Sequence, residues 1–159
     1  MRMRKLSILF PLAASAVLGG CSAAYIPNTD VEDSDENRKV VEFCEVYRRA
    51  VERKDIQGLV SLASKQYYED GGNVDATDDI DFAGLREYLE SKFDEAKGIR
   101  YEIRYRRVTR DEQFIYVDYT YSGSVRLPSI DGEQWKSTVE ENRLELVAAG
   151  DSFHIVRGM

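Results

Sequence analysis

The chain has 159 residues, of which 22 are basic and 29 are acidic, and its formal net charge is −7 at pH 7. This acidic balance argues against nucleic acid as a partner, because phosphate binding is driven by clustered positive charge. The length provides one ordinary domain with its own hydrophobic core and excludes two such domains.

The amino-terminal segment has the layout of an export signal. The first five residues carry three bases, residues 6–18 form an uncharged apolar run, and two glycines precede Cys21. The apolar run is shorter than the roughly 20 residues that a membrane-spanning helix needs. Residues 1–20 are therefore predicted to be a cleaved signal peptide, and no transmembrane helix is expected.

The motif Leu18-Gly19-Gly20-Cys21 resembles the bacterial lipobox. The resemblance implies cleavage before Cys21, a lipid thioether on its sulfur and acylation of the new amino terminus, palmitate included. Several acyl chains hold a protein durably on a bilayer, whereas a single chain does not. Ser22 resembles the outer-membrane sorting class, which implies a lipid-anchored protein of the cell envelope, at the outer membrane and facing the periplasm. The alternative is an ordinary signal peptide followed by a cysteine without a role.

Residues 21–37 are predicted to be a flexible acidic linker. They carry five acidic side chains and no basic one, and they have little to bury apart from Tyr25 and Ile26. Such a segment repels itself and stays extended. A partner-binding acidic tail is the alternative. Cleavage before Cys21 leaves 19 basic and 29 acidic residues, a net charge of −10, so the lipid has to provide the membrane contact.

Three helices are predicted at the start of residues 38–159, because apolar residues recur there at intervals of three and four. Their apolar faces are Val40, Phe43, Cys44, Tyr47 and Val51, then Ile56, Leu59, Val60, Ala63 and Tyr67, then Phe82, Leu85, Leu89, Phe93 and Ala96. Asp35 or Asn37 is the expected N-cap of the first helix, and Asp55 is that of the second. Cys44 is predicted to be a buried, unreactive thiol; a reactive thiol or an intermolecular bridge is the alternative.

After the third helix the apolar period changes to strict alternation, which is typical of half-buried strands. Two strands joined by a turn at residues 110–112 are predicted to pair with Tyr105 opposite Val117 and Arg104 opposite Asp118. This register places the apolar residues of both strands on one face.

Gly123, in the second of these strands, predicts a bulge or sharp bend. Residues 135–147 and 153–157 form the next predicted hairpin, whose inner face stays unassigned because apolar residues occur on both sides. Helices followed by an antiparallel meander predict an α+β domain, with three N-terminal helices packed in a curved antiparallel sheet of about four strands.

Residues 38–159 resemble the nuclear transport factor 2-like superfamily of cystatin-like α+β cones. The likeness lies in element order, strand lengths, the short second helix and the ending Phe153-His154-Ile155-Val156-Arg157-Gly158-Met159. It implies a cavity between the helices and a concave sheet, which in this family often takes a hydrophobic small molecule. Many members simply bind or dimerise, and the same branch holds polyketide cyclases and ketosteroid isomerases. The fold alone does not choose among these activities.

The predicted inner face is rich in tyrosine. The residues concerned are Tyr47, Tyr67, Tyr101, Tyr105, Tyr119 and Tyr121. They predict an apolar ligand pocket with phenol hydroxyls at intervals. The alternative is that these rings only fill the core.

His154, the only histidine, and Glu141 are the candidate catalytic residues. The cone enzymes place an Asp or His inside the cavity, because proton transfer requires a group within hydrogen-bond reach and a pKa near ambient pH. Asp118 is predicted to point outward, and no carboxylate stands within an apolar inward run. The sequence therefore favours a binding module over an enzyme. For Glu141 the alternative is an exposed charge on a strand.

Oxygen-bearing side chains alternate in residues 70–81, where Asn73, Asp75 and Asp79 are the candidate ligands of a calcium loop. Counted from Asn73, the sixth position is Asp78 instead of glycine, and the twelfth is not glutamate. A polar loop whose acids favour the start of the following helix explains the pattern as well, so no metal is predicted. The sequence has no Gly-rich phosphate loop, CxxC pair or nucleophile elbow, and no cofactor is expected.

These observations predict a membrane-anchored envelope lipoprotein that acts as a binding or interaction module. Its partner is a small apolar ligand, a second copy of the chain or another envelope protein. An isomerase or dehydratase-like enzyme that uses the same cavity is the alternative. A buried carboxylate or an inward His154 beside the tyrosines would favour the enzyme.

Overall fold

The computed structural model describes residues 24–72, 75–94 and 96–159. The predicted signal peptide and the lipidation site Cys21 lie outside the described residues, as does Asn73. The elements are α1 Asp35–Glu52, α2 Ile56–Leu62, β1 Tyr68–Glu69, β2 Ile80–Asp81, α3 Leu85–Asp94, β3 Gly98–Arg110, β4 Ile115–Ser129, β5 Gly132–Ala149 and β6 Ser152–Arg157. Among the helices of the described residues, none combines the length and the apolar character that a membrane span requires.

Strands β3 to β6 form one antiparallel sheet in the order β3-β4-β5-β6. Helix α1 packs against β3 and β6, and α2 packs against α1 and α3. The predicted α+β class, with three helices and a curved antiparallel sheet, is confirmed. The prediction lacked β1 and β2, which pair with each other in a small separate sheet. These short strands come before α3, so the helices do not all precede the strands.

Helix α1 begins at a serine cap. Ser34 accepts a hydrogen bond from the backbone N–H of Asn37 at 3.2 Å, so Ser34 is the N-cap and the prediction of Asp35 or Asn37 was wrong. The serine oxygen satisfies one of the free N–H groups of the first turn. The predicted apolar face is confirmed, since Val40 and Cys44 are fully buried. Burial also raises the pKa of the Cys44 thiol, which agrees with an unreactive side chain.

Helix α2 begins at its predicted cap, where Asp55 accepts a hydrogen bond from the N–H of Gly58 at 2.9 Å. Lys54, just before it, has a positive φ of 53°. Its Nζ donates to the carbonyl oxygens of Phe93 at 2.9 Å and Ala96 at 2.8 Å. A cation at the carboxyl end of a helix is stabilised by the partial negative charge there. Lys54 thereby attaches the end of α3 to the α1–α2 turn.

Strands β3 and β4 pair with Tyr105 opposite Tyr119. The predicted pairing of Tyr105 with Val117 was therefore wrong by two positions. The cause is a longer turn, in which a backbone hydrogen bond of 3.0 Å joins the first and last of residues 111–114. A shift of two positions leaves the side chains of residues 98–105 on their original face. The apolar residues of the two strands therefore still share the inner face of the sheet.

This hairpin has a bulge at Arg106. Beyond the bulge Arg107 lies opposite Asp118, so the predicted pairing of Arg104 with Asp118 was also wrong. A bulge adds one residue to one strand only, which interrupts the alternation of faces. The bulge places the consecutive residues Arg106 and Arg107 on the same outer face. There Arg106 donates a hydrogen bond to Thr120, and Arg107 donates one to Asp118.

The inner face of β5 is fixed by Leu144 and Leu146, both fully buried. Ile155 of β6 lies opposite Leu146 and is fully buried as well, whereas His154 lies opposite Val147 on the other face. Residues 132–143 of β5 are exposed. The long β4–β5 hairpin therefore extends beyond the core, and its inner face remains open to the space beside the helices.

Residues 24–34 pack along the edge of the sheet, where the sequence predicted a flexible spacer. The N–H of Asp30 donates to the carbonyl oxygen of Tyr105 at 2.9 Å. The Asp30 carboxylate pairs with Arg104 at 2.7 Å and with Arg106 at 2.8 Å. Val31 is only 2% exposed within the core. The prediction considered repulsion among the acids of this segment, but it overlooked Val31 and the arginines of β3 that neutralise Asp30.

Candidate functional site

Two adjoining cavities lie between the helices and the inner face of the sheet, with volumes of about 370 and 300 Å³. These volumes fall at the lower end of the range of about 300–1,000 Å³ that is typical of ligand pockets. The side chains that line both cavities are Val51, Lys92, Phe93, Tyr101 and Tyr121. Ile99, Val125, Leu127 and Lys136 extend the first cavity, and Tyr47, Leu59, Leu89 and Met159 extend the second.

The shared wall is assembled from different parts of the chain. Val51 lies in the last turn of α1, Phe93 near the end of α3, Tyr101 on β3 and Tyr121 on β4. The rings of Tyr101 and Tyr121 contact each other, with 5.2 Å between their centroids. The bonds from Lys54 fix the end of α3 that carries Phe93. The shape of the cavities therefore depends on how α1 and α3 dock on the sheet.

Gly123 leaves part of the cavity wall open. It pairs in register with Tyr101 on β3 and with Thr138 on β5, so the bulge predicted at this glycine was wrong. A Cβ atom there would lie 3.5 Å from the ring of Tyr121 and 3.7 Å from the methyl group of Thr138, which are ordinary contacts. A side chain larger than a methyl group would extend into the cavity that Gly123 lines. The glycine provides space at this position, and the strand pairing continues through it without a bulge.

The six predicted pocket tyrosines divide into two groups. Those that line the cavities are Tyr47, Tyr101 and Tyr121. Those that are buried in the core and line neither cavity are Tyr67, Tyr105 and Tyr119. Burial raises the pKa values of the Tyr47, Tyr101 and Tyr119 phenols, so these groups are neutral at physiological pH. Three of the six rings therefore line a cavity, and five of them, including Tyr47 and Tyr101, are buried in the core.

Tyr121 binds a carboxylate on the neighbouring strand. Its hydroxyl donates to Oε2 of Glu140 at 2.8 Å, and Oγ1 of Thr138 donates to Oε1 of the same side chain at 2.9 Å. These bonds, that of Tyr121 first, lower the pKa of Glu140. Burial, followed by the bond to Glu140, raises the pKa of Tyr121 to about 12. The pair is therefore a carboxylate and a neutral phenol at the wall of an apolar cavity.

Sequence reasoning missed Glu140 and Thr138, because the inner face of β5 was unassigned. A signal for them does exist in the sequence. Leu144 and Leu146 are the buried residues of β5, and counting back by twos from Leu144 gives Asn142, Glu140 and Thr138. Period-two alternation places all of these side chains on one face of the strand.

His154 does not reach the cavities. Its Nδ1 lies 3.3 Å from the carbonyl oxygen of Ala63, and on the sheet it stands opposite Val147. Glu141 stands opposite Thr120 on the outer face and lines neither inner cavity. The two candidate catalytic residues therefore lie away from the cavities. They also lie apart from each other, because His154 pairs with Val147, which is six residues after Glu141 on β5.

Glu141 instead lines a groove of about 640 Å³ on the outer face, together with Arg106, Arg107, Asp118 and Arg143. Asp118 points outward, as predicted, and accepts hydrogen bonds from Arg143 at 2.6 Å and Arg107 at 2.8 Å. These arginines, Arg143 first, hold the pKa of Asp118 below its ordinary value. The groove is polar and much of its charge is paired within it, so it does not suit an apolar ligand.

The candidate calcium ligands have protein partners of their own. Asp75 accepts hydrogen bonds from the N–H of Thr77 at 3.0 Å and from its Oγ1 at 2.7 Å. Asp79 accepts one from the hydroxyl of Tyr68. Within the described ranges, no group of three or more His, Cys, Asp or Glu residues is arranged to hold a metal ion.

No family model matches this sequence, and no curated protein matches it. Solved structures do share its fold. A protein from Kribbella flavida superposes with a TM-score of 0.65 at 15% identity, over 79% of this chain and 90% of that one.

Two further structures are described as candidate dehydratases. One, of the nuclear transport factor 2-like family, comes from Streptomyces avermitilis and has a TM-score of 0.64 at 10% identity, over 77% of this chain and 92% of that one. The other, a candidate scytalone dehydratase from Novosphingobium aromaticivorans, has a TM-score of 0.61 at 10% identity, over 77% and 80% of the two chains. The domain therefore has the nuclear transport factor 2-like fold, and the likeness at these identities is one of fold alone.

Proposed function

We propose that this protein is a lipid-anchored protein of the bacterial cell envelope whose domain binds a small apolar ligand. The observation that carries the binding role is the pair of adjoining cavities walled by Phe93, Tyr101 and Tyr121. A cavity of this size, lined by aromatic and aliphatic side chains with a few polar groups, is the usual form of a small-molecule site. Cys21 provides the anchor, at the outer membrane and facing the periplasm.

The lining of the first cavity supports a ligand that is mostly hydrocarbon. Ile99, Val125 and Leu127 contribute aliphatic side chains beside the rings of Tyr101 and Tyr121. Removing apolar surface from water contributes about 25 cal/mol per Å², so such a wall favours an apolar molecule over a polar one. The Tyr121 hydroxyl and its partner Glu140 then serve to orient the ligand.

Co-purification tests the binding role. Full-length protein is isolated from the envelope, extracted with organic solvent, and the extract is analysed by mass spectrometry. Gly123→Leu places a side chain in the cavity, so we expect this variant to lose the molecule that the wild type retains. Ser122→Leu is the matched control, because the exposed Ser122 lies on the outer face of the same strand. Equal retention of the molecule by both variants would contradict the proposal.

Lipid anchoring is tested at Cys21. We expect the wild type to incorporate labelled palmitate and to fractionate with membranes, and Cys21→Ala to lose the label and the membrane association. Cys44→Ala is the control, because Cys44 is fully buried in the core and should have no part in anchoring. A Cys21→Ala protein that still fractionates with membranes would overturn the anchor.

The alternative function is an isomerase or dehydratase that uses the same cavities. It is supported by the candidate dehydratases that share the fold, and by the Glu140 carboxylate held against Tyr121. A carboxylate beside a phenol is a pair that can move a proton between two atoms of a substrate. In that case Glu140→Gln would abolish turnover of the co-purified molecule while leaving its binding intact.

A second copy of the chain, or another envelope protein, remains a predicted partner. The outer face of the sheet is the surface available to it, where Trp135 is 45% exposed and Val139 is 68% exposed. Arg100 lies over the Trp135 ring at 4.6 Å, so such an interface would combine aromatic and charged groups. Sedimentation of the wild type and of Trp135→Ala tests this prediction, with dissociation expected in the variant.

A further inference from the structure

The charged residues that line the two cavities are basic, whereas the chain as a whole is acidic. Their only charged lining residues in the described part of the chain are Lys92 and Lys136, and no carboxylate there lines them. The full chain has 29 acidic and 22 basic residues, so a wall of random composition would carry more acids than bases. The charges on the cavity walls themselves are thus positive, while the ionised Glu140 lies beside the site and lines neither cavity.

Neither lysine is neutralised by another described residue. Lys92 contacts the ring of Tyr88, with 5.3 Å between Nζ and the ring centroid, and neither ammonium group forms an ion pair with any residue in the described ranges. Glu140, on the same face of β5 as Lys136, is engaged by Tyr121 and Thr138 instead. Among the described residues, no carboxylate therefore competes with a ligand for the two ammonium groups.

The two lysines stand at the opening and not in the interior. Both side chains are exposed, whereas Tyr101 is 8% exposed and Phe93, Ile99 and Val125 are partly buried. The site thus has an apolar interior and a cationic entrance. An ammonium group at the entrance attracts an anion without having to lose its own hydration.

We propose that the ligand is an amphiphile with a hydrocarbon body and an anionic headgroup. The body lies among the rings and aliphatic side chains, and the headgroup lies at Lys92 and Lys136. This inference rests on the proposed binding function and specifies its ligand class. The competing interpretation is that the lysine stems only cover apolar wall while their charges face water. In that case binding would not depend on the charge of the headgroup.

Calorimetric titrations with four ligands of the same alkyl length test the proposal. Full-length protein is held in an amphipol without lipid or free detergent, and titrations of empty amphipol are subtracted. The probes are decanoate, decyl phosphate, decanol and decylamine. The variants are Lys92→Met, Lys136→Met and the double variant, with Lys39→Met as the control. Lys39 is exposed on α1 and lines neither cavity, so this control makes the same charge change away from the site.

We expect the wild type to bind the two anions more tightly than decanol, and decylamine more weakly. The tighter of the two anions identifies a carboxylate or a phosphate as the headgroup. Each cavity variant should lose about two- to fivefold in affinity for that anion, the range for exposed ion pairs, and the loss should shrink at high salt. Decanol should bind wild type and variants equally, which also shows that the variants are folded.

Three results would overturn the proposal. Equal binding of decanoate and decanol by the wild type would show that the headgroup charge is not recognised, while the proposed apolar binding would stand. An equal loss in Lys39→Met would show an effect of overall charge and not of the site. Binding of none of the four probes would instead refute the proposed function itself.

Discussion

The hydroxyl of Tyr121 donates a hydrogen bond to Glu140 on the adjacent strand, with 2.8 Å between the two oxygen atoms. The two residues lie directly opposite each other on the β4–β5 ladder. The phenol stabilises the charged form of the carboxyl group, so the pKa of Glu140 is lowered. This bond places an ionised group beside the cavities even though no carboxylate among the described residues lines their walls.

Replacing Tyr121 by phenylalanine should raise the pKa of Glu140 toward its ordinary value. Tyr121 is the largest cause of the lowered pKa and Thr138 is the second, so Thr138→Val should raise it by less. The measurement is an NMR titration of the Glu140 side-chain carboxyl carbon in each protein. An unchanged Glu140 titration in Tyr121→Phe would show that this hydrogen bond does not form in solution.

Gly158 is predicted to tolerate no side chain. Its φ is +93°, and an added Cβ would overlap the carbonyl oxygen of Arg143 and lie 3.3 Å from the Cα of Leu144. We expect Gly158→Ala to lower the free energy of unfolding by about 2–4 kcal/mol, from backbone strain of about 1–3 kcal/mol and from displacement of β5.

Gly150→Ala is the matched comparison, because Gly150 has a φ of +61° and nothing within 4 Å of the added atom. We expect Gly150→Ala to lower the free energy of unfolding by only about 1–2 kcal/mol, because the left-handed backbone conformation is the sole source of strain. Urea denaturation of both variants measures the difference. Equal losses of stability would contradict the close approach of Gly158 to β5.

The ion pairs of Asp30 should stabilise the fold in a pH-dependent way. Hydrogen bonds from Arg104 and Arg106 lower the pKa of Asp30 from 3.8 to about 2. Between these values the unfolded state binds more protons than the folded state. The contribution is therefore complete well above pH 3.8 and is lost as the pH falls toward 2.

Asp30→Asn should accordingly lower the urea midpoint at neutral pH, and its difference from the wild type should disappear near pH 2. Salt should reduce this difference, because the pair is exposed. Asp151→Asn, at an exposed turn, is the control and should show little difference at any pH. A difference between Asp30→Asn and wild type that persists unchanged at pH 2 would rule out the ion pairs as its cause.

Lys54 should stabilise the end of α3. Lys54→Met removes both hydrogen bonds to the carbonyl oxygens of Phe93 and Ala96, and we expect a loss of about 1 kcal/mol. Hydrogen exchange should become faster at the end of α3, near Phe93, and Lys39→Met should leave it unchanged. Unaltered exchange at the end of α3 in Lys54→Met would contradict this anchoring role.

The helices of this fold were predictable because their signals are local. The spacing of apolar residues from Val40 to Val51 determines the buried face of α1, whichever element packs against that face. Asp55 caps α2 through a hydrogen bond from Gly58, only three residues along the chain. The strand faces of the first hairpin were predictable for the same reason, since alternation does not depend on the partner strand.

The strand register and the edge of the sheet depend on residues that are distant in the sequence. The predictions of the β3–β4 pairing and of a free spacer at residues 24–34 were wrong for this reason. The alternation pattern encodes neither the bulge at Arg106 nor the closing of the 111–114 turn. Asp30 is neutralised by arginines more than 70 positions along the chain. A composition-based prediction considers only neighbours in sequence, so it treated residues 24–34 as a free spacer.

The candidate site was predictable only in part. The tyrosines of the inner face are visible in the alternation, but which of them reach a cavity depends on the docking of α3 and on the space left by Gly123. A glycine within a strand predicts a bulge as readily as an opening. The role of Lys92 and Lys136 could not be predicted, because only the fold brings these two exposed lysines to the same cavity.

The most direct test of the account is methyl NMR of the full-length protein titrated with decanol. We predict that chemical shifts change for the methyl groups of Val51, Ile99 and Val125, which line the first cavity. The methyl groups of Val139 and Ile130, which are 68% and 99% exposed, should not respond. Shifts confined to Val139 and Ile130, or no shift at Val51, Ile99 and Val125, would contradict the binding of an apolar ligand between the helices and the sheet.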